Sequence, residues 1–185
     1  MLLEKWNAKV NLTASTAWSA VGPLFVEAVW AAGRYEAKAA RHLDIGSGAG
    51  FPALLLRILV PDMRLAMVEA RAKRCSFLET AACELGLENV RVINMRLDSY
   101  LESEEGPWDC VSWKGVRPAL RDIRTLAVRS GRDARFWMFH GRELAVKDPD
   151  ALERVLELVR TESCPAMEGW HLSIYRRKEG EGCFT

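Results

Sequence analysis

At 185 residues and 49% hydrophobic content, the chain can bury one sizeable core and is short for two ordinary domains. Its 26 Lys and Arg against 25 Asp and Glu leave a net charge of +1, so bulk positive charge cannot be what binds a nucleic acid. No apolar run approaches the roughly 18 residues of a membrane span, no secretory leader pattern opens the chain, and Cys75, Cys83, Cys110, Cys164 and Cys183 show neither C-x-x-C pairing nor zinc spacing. These features predict a cytoplasmic monomer without membrane or metal partners, with Cys75 and Cys83 in a helix pattern and Cys110 in a strand pattern buried as ordinary core thiols.

Residues 1–40 read as a helical N-terminal cap, 41–178 as an α/β core and 179–185 as a flexible tail. The core alternates. Apolar Arg41–Leu43 predicts a strand, Ala53–Leu59 a buried helix and Met63–Glu69 a second strand. A helix from Arg71 ends near Gly86, a residue suited to the left-handed position after a helix; Asn89–Asn94 is the third strand. After the turn-like Glu104-Glu105-Gly106-Pro107, Trp108–Trp113 is the fourth strand, followed by a helix over about Pro118–Val128 and a fifth strand, Ala134–His140. Pro149–Val159 is read as a helix capped by Asp148, and Cys164–Met167 with Trp170–Arg176 as a terminal hairpin-like pair. The rhythm predicts a doubly wound, mainly parallel, seven-stranded α/β sheet with an antiparallel edge. In such sheets the ligand lies beyond the carboxyl ends of the central strands.

The segment Asp44-Ile45-Gly46-Ser47-Gly48-Ala49-Gly50-Phe51-Pro52 joins the first strand to its helix. Glycines at alternate positions remove every second Cβ, so the chain can turn sharply and a ligand can rest on bare backbone. Dinucleotide loops space their glycines as GxGxxG. Here the spacing is Asp44-x-Gly46-x-Gly48-x-Gly50, the pattern of S-adenosylmethionine (SAM) loops, which makes Asp44, Gly46, Gly48 and Gly50 cofactor candidates. Glu69 ends the second strand about twenty residues on, where a carboxylate can accept from both ribose hydroxyls. An acidic residue there also suits the start of the next helix, and both readings stand.

Other residues carry weaker signals. Arg117, Arg121 and Arg124 would share one helical face, either as a phosphate-contacting stripe or as a solvated face balanced by Asp122 and Asp133. Asn7 and Asn11, four apart, would present two amides on one helical face, unless Asn11 ends the helix. His140 closes a strand at the predicted crevice and is a pocket candidate, whereas His42 and His171 read as structural. Trp6 reads as an apolar anchor, and Trp113 as either a purine-stacking surface or a sheet-edge packing residue.

Over most of its length the chain resembles the RsmG (GidB) family of methyltransferases. Trp6-Asn7-Ala8-Lys9-Val10-Asn11-Leu12-Thr13 is similar to the family's W-N-x-x-x-N-L-T, the glycine loop to D-[VI]-G-[ST]-G-x-G-x-P, and Lys73-Arg74-Cys75-Ser76-Phe77-Leu78 to K-R-x-x-F-L. The resemblance implies methylation of guanine N7 in small-subunit ribosomal RNA, with the free RNA or the 30S particle as partner. It further implies SAM contacts at Gly46, Phe51, Glu69, Leu97, Asp98 and Lys114. The chain departs from the family where Leu24–Val29 replaces His-x-x-Asp-Ser-Leu, Trp113-Lys114-Gly115 replaces Ser-Arg-Ala, and His140-Gly141 replaces Lys-Gly.

Guanine N7 bears a lone pair and loses no proton on methylation, so transfer needs positioning and desolvation, not a general base. Lys114, His140 and Asn11 are the candidate catalytic residues. An ammonium beside the reacting nitrogen would oppose the positive charge arriving on the purine, so Lys114 is expected to hold an anion at a distance from it. Two alternatives remain open on sequence: a methyltransferase for a small molecule or protein, and a SAM- or RNA-binding module without turnover.

Overall fold

A computed structural model describes residues 2–36, 40–103, 105–142 and 149–178. The predicted cap Asp148, Cys183 and the tail 179–185 lie outside these residues. Two N-terminal helices, α1 (Leu2–Asn7) and α2 (Trp18–Ala32), precede β1 (Arg41–Ile45), α3 (Ala53–Leu59), β2 (Arg64–Glu69), α4 (Ala72–Glu84) and β3 (Val90–Asn94). There follow α5 (Leu97–Tyr100), β4 (Cys110–Lys114), α6 (Leu120–Arg129), β5 (Arg135–His140), α7 (Pro149–Val155), β6 (Leu156–Ser163) and β7 (His171–Arg177). The strands form one sheet in the order β3-β2-β1-β4-β5-β7-β6. The first five are parallel, and β7 lies antiparallel between β5 and β6.

Strand order reverses between β1 and β4, so a crevice opens beyond Ile45 and Lys114. Strand alternation sends Leu43, Ile45, Val111, Trp113, Phe136 and Met138 into a core layer shared with α6 and α7. The other face buries Leu65, Met67, Cys110, Trp137 and Phe139 under α3 and α4. His42, Asp44 and Ser112 alternate onto that second face, and all three are buried. Helix α4 stops as its sequence predicts: Gly86 takes φ +62, with the N–H of Leu87 on Ala82 O at 2.9 Å and the N–H of Gly86 on Cys83 O at 3.0 Å.

Several expectations are corrected. The last helix ends at Val155, and Leu156–Ser163 is a strand, although Leu152, Val155, Leu156 and Val159 have helical spacing. Pairing with β7 overrides that spacing: Leu158 faces Tyr175, Arg160 faces Ile174 and Thr161 faces Ser173. The terminal hairpin is therefore β6 with β7, and Cys164–Met167 is its connection. Residues 97–100 form a short helix that the sequence reading omitted. Cys75 and Cys110 are buried as expected, but Cys83 is exposed; Cys164 is buried too.

Candidate functional site

The glycine loop leaves β1 at the crevice and is pinned to β2, the N–H of Gly46 donating to Val68 O at 2.7 Å. Gly46 has φ +69, and a Cβ there would sit 2.4 Å from Val116 Cγ1. Both strain and space therefore demand glycine. Glu69 is organised by backbone donors: its Oε2 accepts from the N–H of Gly48 at 3.0 Å and its Oε1 from the N–H of Arg71 at 2.9 Å. The second contact lies at the start of α4, so the helix-end reading of Glu69 holds. Two acceptors still leave the carboxylate lone pairs for a ligand.

These elements enclose a cleft of about 550 Å³. Among the predicted residues, Gly46, Glu69, Leu97 and Asp98 line it, with Met95 and Val116 adding apolar walls. Five arginines border it: Arg71, Arg74, Arg96, Arg117 and Arg121. The N–H of Ser99 and the nearby Arg96 guanidinium hold the Asp98 carboxyl below its usual range. The donor set suits an adenosine-bearing cofactor: bare backbone at Gly46, a carboxylate for diol hydroxyls, and apolar side chains for a flat ring.

Other predicted residues lie elsewhere. A Cβ on Gly50 would press on Leu54 Cδ1 at 2.6 Å, so this glycine lets the loop pack on α3. Phe51 contacts Phe25 of α2 edge-on, ring centroids 5.5 Å apart. Asn11 sits beyond α1 with φ 20, its carbonyl accepting from Arg74 Nη2 at 3.1 Å. It therefore shares no helical face with Asn7, whose side chain instead caps the N–H groups of Leu12 and Thr13 at 2.8 and 2.9 Å. Arg117 precedes α6, so the predicted three-arginine helical face does not form. Trp6 meets Phe77 edge-on, as an anchor should. Trp113 is fully buried in a central strand, which removes both the stacking and the sheet-edge reading.

Lys114 and His140 are committed to protein partners. The Lys114 ammonium forms an ion pair with Glu27 and lies 5.1 Å from the centroid of the Trp170 ring. Glu27 is 1% exposed, and burial raises its carboxyl pKa despite that ammonium. His140 donates from Nδ1 to Gly141 O at 2.6 Å and accepts from the Ser173 hydroxyl at Nε2, 2.8 Å. Its ring is buried away from the cleft. The sequence reading missed Glu27 as a partner, although a lone carboxylate in the apolar run Leu24–Val29 was the available signal.

Asp44 lies beneath the loop. The Ser112 hydroxyl donates to its Oδ1 at 2.5 Å, and His42 Nε2 lies 2.8 Å from the same hydroxyl. Burial raises the Asp44 carboxyl to about 6 and lowers His42 to about 3. A second concavity, of about 410 Å³, lies at the opposite, amino-terminal edge of the sheet and includes Tyr35 and Asp109. Its Arg34 and Arg160 are engaged by Glu162.

The GidB family model, described as rRNA small subunit methyltransferase G, matches residues 1–144. "Ribosomal RNA small subunit methyltransferase G" of Streptococcus pyogenes serotype M12 (strain MGAS9429) is 34% identical over 170 residues, covering 88% of this chain and 68% of that protein. Its counterpart in Desulfitobacterium hafniense (strain Y51) is 33% identical over 160 residues, covering 84% of this chain and 62% of that protein. In fold, the chain is similar to a SAM-dependent methyltransferase from Aquifex aeolicus (TM-score 0.62, 16% identity, 84% of this chain and 90% of that one). It is likewise similar to the mitomycin 7-O-methyltransferase MmcR (TM-score 0.67, 16% identity, 83% of this chain and 54% of that one).

Proposed function

The chain belongs to the GidB family of methyltransferases, and from that premise we propose that it methylates guanine N7 in small-subunit ribosomal RNA, in the cytoplasm. S-adenosylmethionine, its cofactor, supplies an electrophilic methyl group on a sulfonium. The observation that carries the substrate reading is the arginine border of the cleft, where Arg96 and Arg121, ion-paired with Asp98 and Asp122 at 3.5 and 3.4 Å, are still 77% and 80% exposed beside the Glu69 and Gly46 site. Exposed cations there can hold phosphates of an RNA whose base enters the crevice. Among the described residues no helix is long and apolar enough to cross a membrane, and none form a metal-holding cluster.

In this reading each residue positions or excludes. Glu69 accepts from the ribose hydroxyls with the lone pairs its two backbone donors leave over. Gly46 lets the ligand lie on backbone; Met95, Leu97 and Val116 flank the adenine, and Asp98 accepts from it. Lys114 is neutralised by Glu27, so little net positive charge opposes the cation that develops on the purine. N7 carries no proton to remove, so no residue is needed as a base.

The test is nucleoside analysis of ribosomal RNA from cells lacking and then regaining the protein, with borohydride and aniline scission to locate N7-methylguanosine. Loss and return of one such site in the small-subunit RNA is expected. Unchanged ribosomal RNA, with labelled methyl passing instead to a small molecule or protein, would overturn the substrate.

A further inference from the structure

We propose that Tyr35, His42 and Ser112 form a one-directional hydrogen-bonded relay that keeps the Asp44 carboxylate ionised beneath the glycine loop, as positioning residues for the cationic cofactor. The proposal rests on the reading that the cofactor occupies the cleft at Gly46 and Glu69. Its geometry is independent of that reading.

An ionised Asp44 carboxylate can only accept, and with that state the direction of the relay follows from counting hydrogens. Ser112 stands opposite Asp44 in the β1–β4 register and spends its one hydroxyl hydrogen on Asp44 Oδ1 at 2.5 Å. The Ser112 oxygen must then accept from His42 Nε2 at 2.8 Å, which places the imidazole hydrogen on Nε2. A neutral ring has one hydrogen, so Nδ1 accepts from the Tyr35 hydroxyl at 3.1 Å. The depressed pKa of His42 agrees with a neutral ring. Every donor points toward the carboxylate. Tyr35 also stacks on His42, centroids 5.7 Å apart and planes 9° from parallel, which fixes the imidazole.

The arrangement answers a specific cost. Asp44 is 3% exposed, and burial drives its carboxyl toward the neutral form; Glu69 at the end of β2 pushes the same way. Opposing them are the Ser112 and Ser47 hydroxyls and, at the end of β4, Lys114, itself paired with Glu27 of α2. The Cys110 thiol, on the same sheet face, is raised by burial, by Asp44 and by Asp109, stays neutral, and is the second hydrogen-bond partner of the Tyr35 hydroxyl. With the carboxyl at about 6, Asp44 is ionised at neutral pH, but narrowly. An anion so placed attracts the sulfonium and ammonium groups of the cofactor from below the loop, where little water screens it.

The test reads the carboxyl directly. Infrared difference spectra of the ligand-free protein against Asp44→Asn, taken across pH, isolate the Asp44 carboxyl band. Ser112→Ala should raise its midpoint by about one pH unit or more, and Tyr35→Phe, at the outer end of the relay, should raise it by less. Calorimetry should then show SAM affinity in Ser112→Ala about twofold weaker at about pH 7, approaching tenfold weaker near pH 5, and recovering at alkaline pH. A midpoint unmoved in folded Tyr35→Phe overturns the relay, even where Ser112→Ala, which loses a direct hydrogen bond, moves it. A moved midpoint with SAM affinity flat across pH overturns its link to the cofactor. Failure of the underlying site reading is separate: it would appear as SAM affinity indifferent to Glu69→Ala, whatever the Asp44 titration does.

Discussion

Removing the Lys114 ammonium should expose the electrostatic cost of Glu27 as a pH-dependent loss of stability. Glu27 is 1% exposed, and burial already raises its carboxyl above the ordinary 4.5 with Lys114 in place. In Lys114→Met the opposing charge is gone, so the folded-state pKa climbs further. A carboxyl whose folded pKa exceeds its unfolded value binds its proton more tightly when folded, so stability falls as pH rises between the two values. Breaking a buried pair costs about 3–5 kcal/mol. Protonation caps the loss at roughly 1.4 kcal/mol for each pH unit above the unfolded value. Lys114→Met should therefore lose about 1 kcal/mol near pH 5 and about 3–5 kcal/mol near pH 8, read as the change in urea-unfolding free energy. Glu27→Leu combined with Lys114→Met should recover most of the loss near pH 8, because no buried charge remains. Equal losses at both pH values, or a double variant as unstable as the two single losses added, would refute the reasoning.

Glu69→Gln should weaken SAM binding about ten- to hundredfold by calorimetry, since a charge-assisted acceptor becomes a neutral amide in the cleft. Gly86→Ala should cost about 1 kcal/mol in unfolding free energy with SAM affinity unchanged, because φ +62 penalises a Cβ at a helix end remote from the cleft.

How much of this protein was legible in the sequence depended on the range of the interaction concerned. Asp44-x-Gly46-x-Gly48-x-Gly50 announced the loop because left-handed φ at 46, 48 and 50 is a local demand that glycine alone meets cheaply. Glu69 was legible because one strand and a fixed crossover separate it from the loop, and Gly86 because a helix end is written in adjacent residues. The apolar runs of β1 to β5 declared a parallel sheet through strand-length runs alternating with helical spacing. The other half was decided in space. Leu156–Ser163 carries helical spacing yet becomes a strand, because β7 offers it a ladder. Trp113 is an unmarked aromatic in sequence; only its place in a central strand makes it core. Ser112 reaches Asp44 across 68 positions because strand order reverses between β1 and β4 and sets them side by side, and Glu27 of α2 meets Lys114 at the end of β4 across 87. Periodicity and turn chemistry act within a few residues and can be read along the chain, whereas the partner that neutralises a buried charge is chosen by strand order and by the helix laid across it.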